Sequence, residues 1–509
     1  MRSSVANIHA CQSIPFQKGE PYRPRQPEQT VLYQALAGHM ETFLALQDGG
    51  AVPRFVEREL RKFLECGILA YGFLRVHCDP CGTDKLVSFS CKGRGFCPSC
   101  CGRRMADTAA HLVDRVFPHV PVRQWVLSLP YGLRYRLAYD AGMVTAVLGV
   151  FVRAVFGHLR RRARECGIDE IQCGAVTFVQ RFGGSLNTNV HFHMLALDGV
   201  YGPKSGGEPE FFALRAPEDS DVLKIVEQLA VRIPALVKRR GGDPEQGDGE
   251  DSDRLAREDP WLSGVYAASV TGRIATGPRA GRRVETAGDR VDPDQLPALS
   301  SARCVGVSGF SLHANVAVPA RDRARLERLC RYVARPPLAS ERLERLPDGR
   351  LVYEFKRPWR DGTSRAVYEP LEFIEKLAAL VPAPRAHLAR YHGVLAPAAK
   401  WRASVVAAAV GPVAASSDAP DAVEASIPAA KEPKPASTGH PRNYAWAELM
   451  RRVFELDVLA CDHCGGRMRI IASIHPPDTT RKILDCLGLP SRSPPVAPAR
   501  ASLIAPDWL

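Results

Sequence analysis

The spacing of apolar residues divides the chain into segments of different character. Apolar residues recur at helical spacing in two stretches over residues 27–66, and the break at Gly49, Gly50 and Pro53 predicts a pair of helices. Residues 66–104 are rich in cysteine and show little helical pattern. Their short apolar runs cannot build a core, so we expect a metal ion to organise this segment.

A mixed pattern of strands and helices begins near residue 123. The stretch VRQWVLSL predicts a strand, and residues 139–165 predict a helix. Two further strands, IQCGAVTFVQRF and NVHFHMLALDGV, are separated by a turn at Gly183 and Gly184, which favours a hairpin. An antiparallel sheet flanked by helices is the expected α+β arrangement.

The second half of this region continues the same pattern after an acidic, glycine-rich stretch at residues 241–259. That stretch is too polar to bury, so we interpret it as an insertion loop. The elements expected after it are a strand in GVSGFSLHANVAV, a helix over 321–334, a hairpin around Asp361 and Gly362, and a helix over 370–381.

Breaks in composition suggest the domain boundaries. Residues rich in Ala, Pro and Ser, without any period, predict a flexible linker that separates the main domain from a short patterned segment. We expect an N-terminal arm (1–26), a helical and metal-binding domain (27–110), an α+β domain (111–402), a linker (403–440), a small C-terminal module (441–488) and a tail (489–509).

Composition and charge narrow the class of protein. The 509 residues are 45% hydrophobic and 24% charged, which excludes a wholly disordered, collagen-like or multi-span membrane protein. The net charge is +13, most cationic residues are arginine, and nucleic acid is therefore the first partner to expect. The most apolar stretch, residues 141–159, contains Arg153 and predicts a buried or amphipathic helix rather than a membrane span. The N-terminus shows no secretory pattern, so we expect reduced cysteines and no membrane contact.

Two Cys-x-x-Cys pairs, at Cys78 and Cys81 and at Cys97 and Cys100, have the spacing of a closed tetrahedral zinc site. Such a site is structural, because four thiolates leave no open position. The alternative is a set of buried free cysteines. Four neighbouring side chains could also replace one of these ligands: Cys66, His77, Cys91 and Cys101.

A third pair, Cys461 and Cys464, forms half of a zinc knuckle in the C-terminal module. A second zinc there needs further ligands, and Cys486, His463 or His475 could supply them. The alternative is a turn with reduced cysteines at the surface.

The sequence His191-Phe192-His193 lies on a predicted strand, where alternation points both imidazoles to one face. Gln180 lies on the partner strand, and the predicted hairpin could bring it opposite the pair. Two imidazole nitrogens and an amide oxygen would form an open metal site suited to Lewis-acid chemistry on a phosphodiester. The alternative is a pair of polar residues on an exposed strand face.

Tyr332 lies on the predicted helix ARDRARLERLCRYVARPP. At 100° per residue, Arg325, Arg328 and Arg335 form a stripe with the tyrosine, so the phenol would stand among three guanidinium groups suited to a DNA phosphate. The alternative is an ordinary boundary residue on a solvated basic helix.

Four segments together resemble one known family. CDPCGTDKLVSFSCKGRGFCPSCCGRRM, QRFGGSLNTNVHFHMLALDGV, RYVARPPLASERL and RYHGVLAPAAKWR, in this order, resemble the rolling-circle transposases of the insertion-sequence-91 type and their relatives in insertion-sequence common regions. The similarity covers roughly residues 27–402. It implies an N-terminal zinc-binding domain followed by an HUH nuclease domain, in which a His-hydrophobic-His pair holds a metal ion and a tyrosine attacks single-stranded DNA.

Carried onto this sequence, the resemblance makes His191 and His193 ligands of a divalent metal ion, places Gln180 where related enzymes supply a third ligand, and makes Tyr332 the nucleophile. Because this site is open and contains no thiolate, we expect the ion to be Mg²⁺ or Mn²⁺. The expected activity is DNA strand cleavage and rejoining through a 5′-phosphotyrosine. The expected partners are single-stranded or hairpin ends of a mobile element, and the expected location is the bacterial cytoplasm, at the nucleoid.

One position departs from the family pattern. The founding members of the family that this chain resembles have two tyrosines four residues apart. In this chain, Arg328 occupies the position four residues before Tyr332. The chain therefore resembles the single-tyrosine branch, in which a homodimer partner or repeated use of Tyr332 is needed. The competing functional hypothesis is a zinc-dependent DNA-binding regulator without enzymatic activity.

Overall fold

The computed structural model describes seven stretches of the chain: residues 25–46, 50–204, 208–241, 253–288, 302–359, 361–407 and 445–500. The predicted N-terminal arm, except residues 25 and 26, lies outside them. So do the predicted linker beyond residue 407 and most of the predicted acidic loop.

Thirteen helices occur in the described residues, and the predicted helical pair near the N-terminus is confirmed as the first two. The predicted helix over 139–165 begins after Asp140, which accepts a hydrogen bond from the Met143 amide, and a further helix precedes it. The helices are α1 Val31–Ala45, α2 Arg54–Glu65, α3 Pro98–Arg115, α4 Tyr131–Tyr139, α5 Ala141–Glu165, α6 Asp219–Arg239, α7 Arg254–Glu258, α8 Pro260–Thr271, α9 Arg323–Val333, α10 Pro370–Leu380, α11 Arg402–Ala407, α12 Trp446–Phe454 and α13 Asp478–Cys486.

Fifteen strands occur in the same residues and pair antiparallel, which confirms the predicted α+β class. The strands are β1 Phe73–Cys78, β2 Asp84–Ser88, β3 Val122–Ser128, β4 Gly174–Phe182, β5 Thr188–Leu197, β6 Gly199–Pro203, β7 Pro209–Ala213, β8 Glu285–Gly288, β9 Cys304–Val307, β10 Phe310–Val318, β11 Leu343–Arg345, β12 Leu351–Glu354, β13 Thr363–Tyr368, β14 Ala389–Gly393 and β15 Met468–Ile474.

The largest sheet has six strands in the order β14-β4-β5-β3-β10-β9. One face packs against α4, α5 and α6, through buried side chains such as Trp125 and Phe192. The other face packs against α3 and α9, through side chains such as Phe178 and Leu195. The central strands are therefore covered on both sides, and their polar side chains have little access to water.

Helix α5 is long and apolar enough to cross a membrane by length and composition. Of its most apolar window, 61% is buried inside the protein, and the ring of Phe151 lies 6.3 Å from that of Phe192 on the sheet. Core helices of this length meet the same criterion, and the packing here is that of a core helix.

The predicted hairpin near Asp361 does not extend the large sheet. Its two strands, β12 and β13, lie in a separate four-stranded sheet of order β11-β12-β13-β8. The sequence predicted one main sheet because a hairpin pattern does not reveal its lateral neighbours. This second sheet brings the loop after β12 towards helix α9, where Lys356 contacts the ring of Tyr332.

The C-terminal module is joined to the N-terminal region through a three-stranded sheet of order β15-β1-β2. Strand β15 pairs with β1 from Phe73↔Ile474 to Cys78↔Met468. The sequence predicted a small module separated by a linker, and local patterning gave no sign of this long-range pairing.

Helix α9 has a well-defined start and a buried face. The Asp322 carboxylate accepts a hydrogen bond of 2.9 Å from the Arg325 amide, which caps the helix N-terminus. The buried side chains recur at helical spacing and fix the rotation of the helix against the sheet; they are Leu326, Leu329, Cys330 and Val333. This rotation directs Tyr332 towards the strands that carry the histidines.

Candidate functional site

Strand register brings the three predicted metal ligands to one face of the large sheet. On β5, His191 pairs with Gln180 of β4, and His193 lies two residues further along the same strand. Directly paired residues share a face, as do alternate residues of one strand. The predicted hairpin therefore places His191, His193 and Gln180 together.

The His191 ring is oriented by its own strand. Its Nδ1 lies 2.9 Å from the carbonyl oxygen of Asn189, and because a carbonyl only accepts, Nδ1 carries the hydrogen. The Nε2 lone pair is then free to bind a metal. Burial, together with the positive charge of Arg335, lowers the pKa of His191 to about 4, so the ring is neutral at ordinary pH.

His193 is only 4% exposed. Its Nδ1 lies 2.8 Å from the amide nitrogen of Gln124, and its buried Nε2 has no hydrogen-bond partner among the described residues. Rotating this amide by 180° turns its oxygen to accept the Nδ1 hydrogen and leaves Nε2 as a lone pair. Burial, reinforced by His191, holds the pKa of His193 well below its usual range.

Gln180 links the sheet to helix α9. Its amide nitrogen donates a hydrogen bond of 2.7 Å to the carbonyl oxygen of Val333, next to Tyr332. Its amide oxygen is buried and has no partner within the described part of the chain. An unpaired buried acceptor is costly, so this oxygen and Nε2 of His193 are expected to bind something. A divalent cation fits two neutral imidazoles and an amide oxygen.

Tyr332 lies beside this group of ligands. Its ring centroid is 6.0 Å from that of His193, with the two planes at 82°. The Arg335 guanidinium carbon lies 4.5 Å from the centre of the phenol ring, and the Lys356 ammonium lies 5.3 Å from it. The half-buried phenol therefore stands between the histidines and two cations.

Only part of the predicted arginine stripe reaches the site. Arg335 stacks on the phenol and donates a hydrogen bond of 3.0 Å to the Tyr332 carbonyl. Arg328 lies about one turn before the tyrosine and is exposed, and Arg325 lies about two turns before it.

Two other tyrosines of the α+β domain, Tyr353 and Tyr368, are inaccessible. Tyr353 is 1% exposed and its hydroxyl accepts a hydrogen bond from the Ala339 amide. Tyr368 is fully buried, its hydroxyl donates to the Ser185 carbonyl at 2.7 Å, and burial raises the pKa of its phenol. Neither phenol can meet a DNA phosphate without unfolding of its surroundings.

The N-terminal cysteines form a first cluster, which consists of Cys66, Cys91, Cys97 and Cys100. Cys66 ends α2, Cys97 caps the N-terminus of α3, and Cys91 lies in the loop before it. Measured from sulfur to sulfur, Cys66 is 3.7 Å from Cys100, which is 3.4 Å from Cys91.

A second cluster joins Cys78 and Cys81 to Cys461 and Cys464 of the C-terminal module. The predicted zinc site of Cys78, Cys81, Cys97 and Cys100 is therefore wrong in its grouping, because each pair belongs to a different cluster. The hairpin of β1 and β2 carries the first pair away from the N-terminus of α3. Of the proposed substitutes, Cys66 and Cys91 are used in the first cluster.

Two family models match the chain. One, described as "Putative transposase", matches residues 174–402, which hold the histidines, the glutamine and Tyr332. The other, described as "Transposase zinc-binding domain", matches residues 35–129, which hold the first cysteine cluster. The chain is an insertion-sequence-91-type transposase. No curated protein and no solved structure matches the chain.

Membership of this family indicates that the transposase acts on DNA in transposition. The competing hypothesis of a DNA-binding regulator without enzymatic activity is therefore not favoured. The matched zinc-binding domain agrees with the chemistry of the first cluster, because its four sulfurs lie within 4.8 Å of one another. A ZnS₄ tetrahedron with bonds of about 2.3 Å has edges of about 3.8 Å.

Sequence reasoning missed three residues around the candidate active site of the transposase. Gln124 orients His193, His313 of β10 is near enough to help lower the pKa of His193, and Lys356 faces the phenol. Gln124 and His313 lie on predicted strands, and His313 is a polar residue between apolar neighbours. That pattern could have marked His313 as a buried polar position, whereas Gln124, which follows Arg123, and Lys356 carried no such local signal.

Proposed function

We propose that this transposase cleaves and rejoins single-stranded DNA, with Tyr332 as nucleophile and with a divalent cation held by His191, His193 and Gln180. The supporting observation is the pair of buried polar atoms, Nε2 of His193 and Oε1 of Gln180, which have no partner within the described residues and lie on the sheet face next to the phenol. When bound, such a cation would act as a Lewis acid that neutralises negative charge on the phosphate oxygens.

In the proposed step the Tyr332 oxygen forms a bond to phosphorus, and the bond from phosphorus to the 3′ oxygen of the preceding nucleotide breaks. The phenol loses its proton and the leaving 3′ oxygen gains one. The products are a 5′-phosphotyrosine and a free 3′-hydroxyl. The phosphodiester energy is retained in the covalent intermediate, so attack by a 3′-hydroxyl reverses the step and joins strands.

The residues around Tyr332 suit this step. Arg335 and Lys356 hold two positive charges against its ring, and both can attract the phosphate to the phenol. The link from Gln180 to the Val333 carbonyl fixes the end of α9 against the sheet, which limits movement of the nucleophile. We propose single strands or hairpin ends as substrates because a stacked duplex resists the backbone bending that alignment needs.

Helix α9 contains one tyrosine, and exposed Arg328 occupies the position four residues before it. We therefore propose that each transposition cycle either uses Tyr332 twice or uses a second copy of the chain. A mixture of wild-type and Tyr332→Phe chains tests this. Strand joining that falls linearly with the wild-type fraction supports repeated use by one chain, whereas a quadratic fall supports two copies.

The test of the reaction is covalent trapping. Purified protein is incubated with labelled single-stranded hairpin oligonucleotides that represent the ends of the element, in the presence of Mn²⁺, and denatured before electrophoresis. The wild-type protein should give a protein–DNA adduct. Tyr332→Phe should lower the adduct by at least about 10³-fold, since it removes the nucleophilic oxygen and retains the ring.

Tyr391→Phe is the matched control. Tyr391 is half-buried on β14, has an arginine near its ring like Tyr332, and should keep its full adduct yield when replaced. An adduct that persists in Tyr332→Phe and maps to another residue would overturn the nucleophile assignment. DNA binding without any adduct from the wild-type protein would favour the regulator hypothesis.

A further inference from the structure

The second cysteine cluster is assembled from parts of the chain that are far apart in sequence. Cys78 and Cys464 are separated by 386 residues, and their sulfurs lie 3.5 Å apart. Cys81 and Cys461 are separated by 380 residues, and their sulfurs lie 3.6 Å apart. The matched zinc-binding domain ends at residue 129, so it includes only half of this cluster.

We propose that these four cysteines form a second structural zinc site, which fastens the C-terminal module to the N-terminal region. The sulfur separations agree with the edge of about 3.8 Å of a ZnS₄ tetrahedron, whereas a disulfide requires about 2.05 Å. All four sulfurs lie within 4.8 Å of one another. Four thiolates complete the coordination, so the site has no open position for substrate.

The two halves of the cluster have the same local backbone. The Gly82 amide donates to the Cys78 carbonyl at 2.8 Å, and the Gly465 amide donates to the Cys461 carbonyl at 2.9 Å. Both glycines have positive φ, +73° and +72°, which a residue with a Cβ adopts at a cost. Two turns of one shape thus face each other, each presenting two sulfurs to the common centre.

Hydrogen-bond donors also surround the sulfurs. The Gly466 amide donates to Sγ of Cys464 at 3.4 Å, and Sγ of Cys81 lies 3.2 Å from the Thr83 hydroxyl, which donates to the sulfur once the thiol has lost its proton. Donors of this kind stabilise thiolates, which are the form that binds zinc.

Few apolar side chains are buried directly around the sulfurs. The buried cluster around the sulfurs contains Val76 and Met468 besides the cysteines themselves. On β15, Ile470 is 58% exposed and Ile471 is 38% exposed. Two ion pairs also cross the junction, Lys85 with Asp462 and Arg469 with Asp79, and the second is well exposed and adds little stability. Metal bonds can supply what this small core lacks.

The rest of the module lies against the same N-terminal region. Leu449 of α12 packs on Ala106 and Ala110 of α3. Beyond α13, the Ala497 amide donates to the Ala37 carbonyl of α1 at 2.8 Å. The zinc site would therefore close a loop of chain that carries the whole nuclease region between its ends.

The experiment measures the zinc content of the full-length protein and shows, by hydrogen exchange, which strands lose protection when one zinc is missing. Elemental analysis of wild type should give two zinc ions per chain. Cys464→Ser should give one, and because Cys464 is exposed, its replacement disturbs no packing. Hydrogen exchange at β15 should become at least tenfold faster in this variant, while exchange at β5 stays unchanged.

Cys486→Ser is the matched control, since Cys486 is also exposed and lies outside both clusters. It should retain two zinc ions and normal exchange at β15. One zinc in the wild-type protein would overturn the proposal, as would iron in place of the second zinc. Two zinc ions in Cys464→Ser, or unchanged exchange at β15 after loss of one ion, would overturn it as well.

Discussion

Two sheets of this transposase contain arginine–aspartate pairs of nearly the same geometry in different surroundings. In the six-stranded sheet, Arg123 contacts Asp198 at 2.9 and 2.6 Å, and the two side chains are 5% and 13% exposed. In the three-stranded sheet, Arg469 contacts Asp79 at 2.7 and 3.0 Å, and the side chains are 65% and 55% exposed.

The apolar surroundings of the two sheets differ in the same way. The six-stranded sheet lies between two layers of helices and buries large side chains such as Trp125 and Phe192. The three-stranded sheet buries only a few apolar side chains beside the cysteines, Phe73, Val76 and Met468, and it exposes Ile470.

This difference separates two ways of stabilising a sheet. The large core of the six-stranded sheet can tolerate buried polar groups such as His193 and Gln180, which are costly in themselves and available for chemistry. The three-stranded sheet has no apolar core of comparable size, and on our proposal its order depends on metal–sulfur bonds. Metal removal should therefore act on the periphery of the molecule and core substitutions on the centre.

The largest effect is expected in the first cysteine cluster. Cys97→Ser should lose one zinc and unfold the region around α2 and α3, because structural zinc supplies about 10–16 kcal/mol in zinc-finger peptides. Zinc content and hydrogen exchange of α3 measure this. Cys101→Ser is the control: Cys101 is buried beside the cluster but is not a member of it, so its zinc content should not change. Equal zinc content in the two variants would contradict the assigned ligand set.

The second effect tests the buried ion pair. Arg123→Ala leaves Asp198 buried without its partner and also removes a hydrogen bond of 2.9 Å to the Ala314 carbonyl. The free energy of unfolding should fall by about 3–5 kcal/mol, measured by urea denaturation. The double variant Arg123→Leu/Asp198→Leu should recover much of this loss, since it leaves no lone charge. If Arg123→Ala lowered the free energy of unfolding by less than about 1 kcal/mol, this pair would contribute no more than an exposed one, and its burial would not matter.

A smaller effect is expected where the core supports the active site. Gln124→Leu removes the amide that contacts Nδ1 of His193 and orients the ring, and it should weaken Mn²⁺ binding by about 10–100-fold, with little change in zinc content. Gln124→Glu keeps an acceptor at the same position and should restore most of the affinity. Titration of adduct formation with Mn²⁺ measures both variants. Loss of affinity in both to the same degree would show that Gln124 acts through packing instead.

Much of this architecture follows from local pattern. The helices α1, α2, α9 and α10 and the hairpin of β4 and β5 were predictable, since each combines a clear period with capping or turn residues. The hairpin also predicted the juxtaposition of His191, His193 and Gln180, because strand alternation and a short connection leave few arrangements.

The parts that sequence did not reveal depend on contacts between distant segments. The spacing of the cysteines predicted structural zinc, but it did not show that Cys97 and Cys78 belong to different clusters. The folded chain determines which cysteines lie next to each of them. The pairing of β15 with β1 and the approach of Lys356 to Tyr332 are of the same type. Local periodicity contains no information about such partners.

The smallest effect is expected for the exposed ion pair of the three-stranded sheet. Arg469→Ala removes both contacts with Asp79, but water solvates the two groups well and salt screens their attraction, so stability should not change beyond the error of measurement. Hydrogen exchange at β15 should also match wild type, at low salt and in 1 M salt alike. If exchange at β15 rose in Arg469→Ala as much as in Cys464→Ser, the ion pair would hold the strand as strongly as the cysteines, and the contrast between the two sheets would fail.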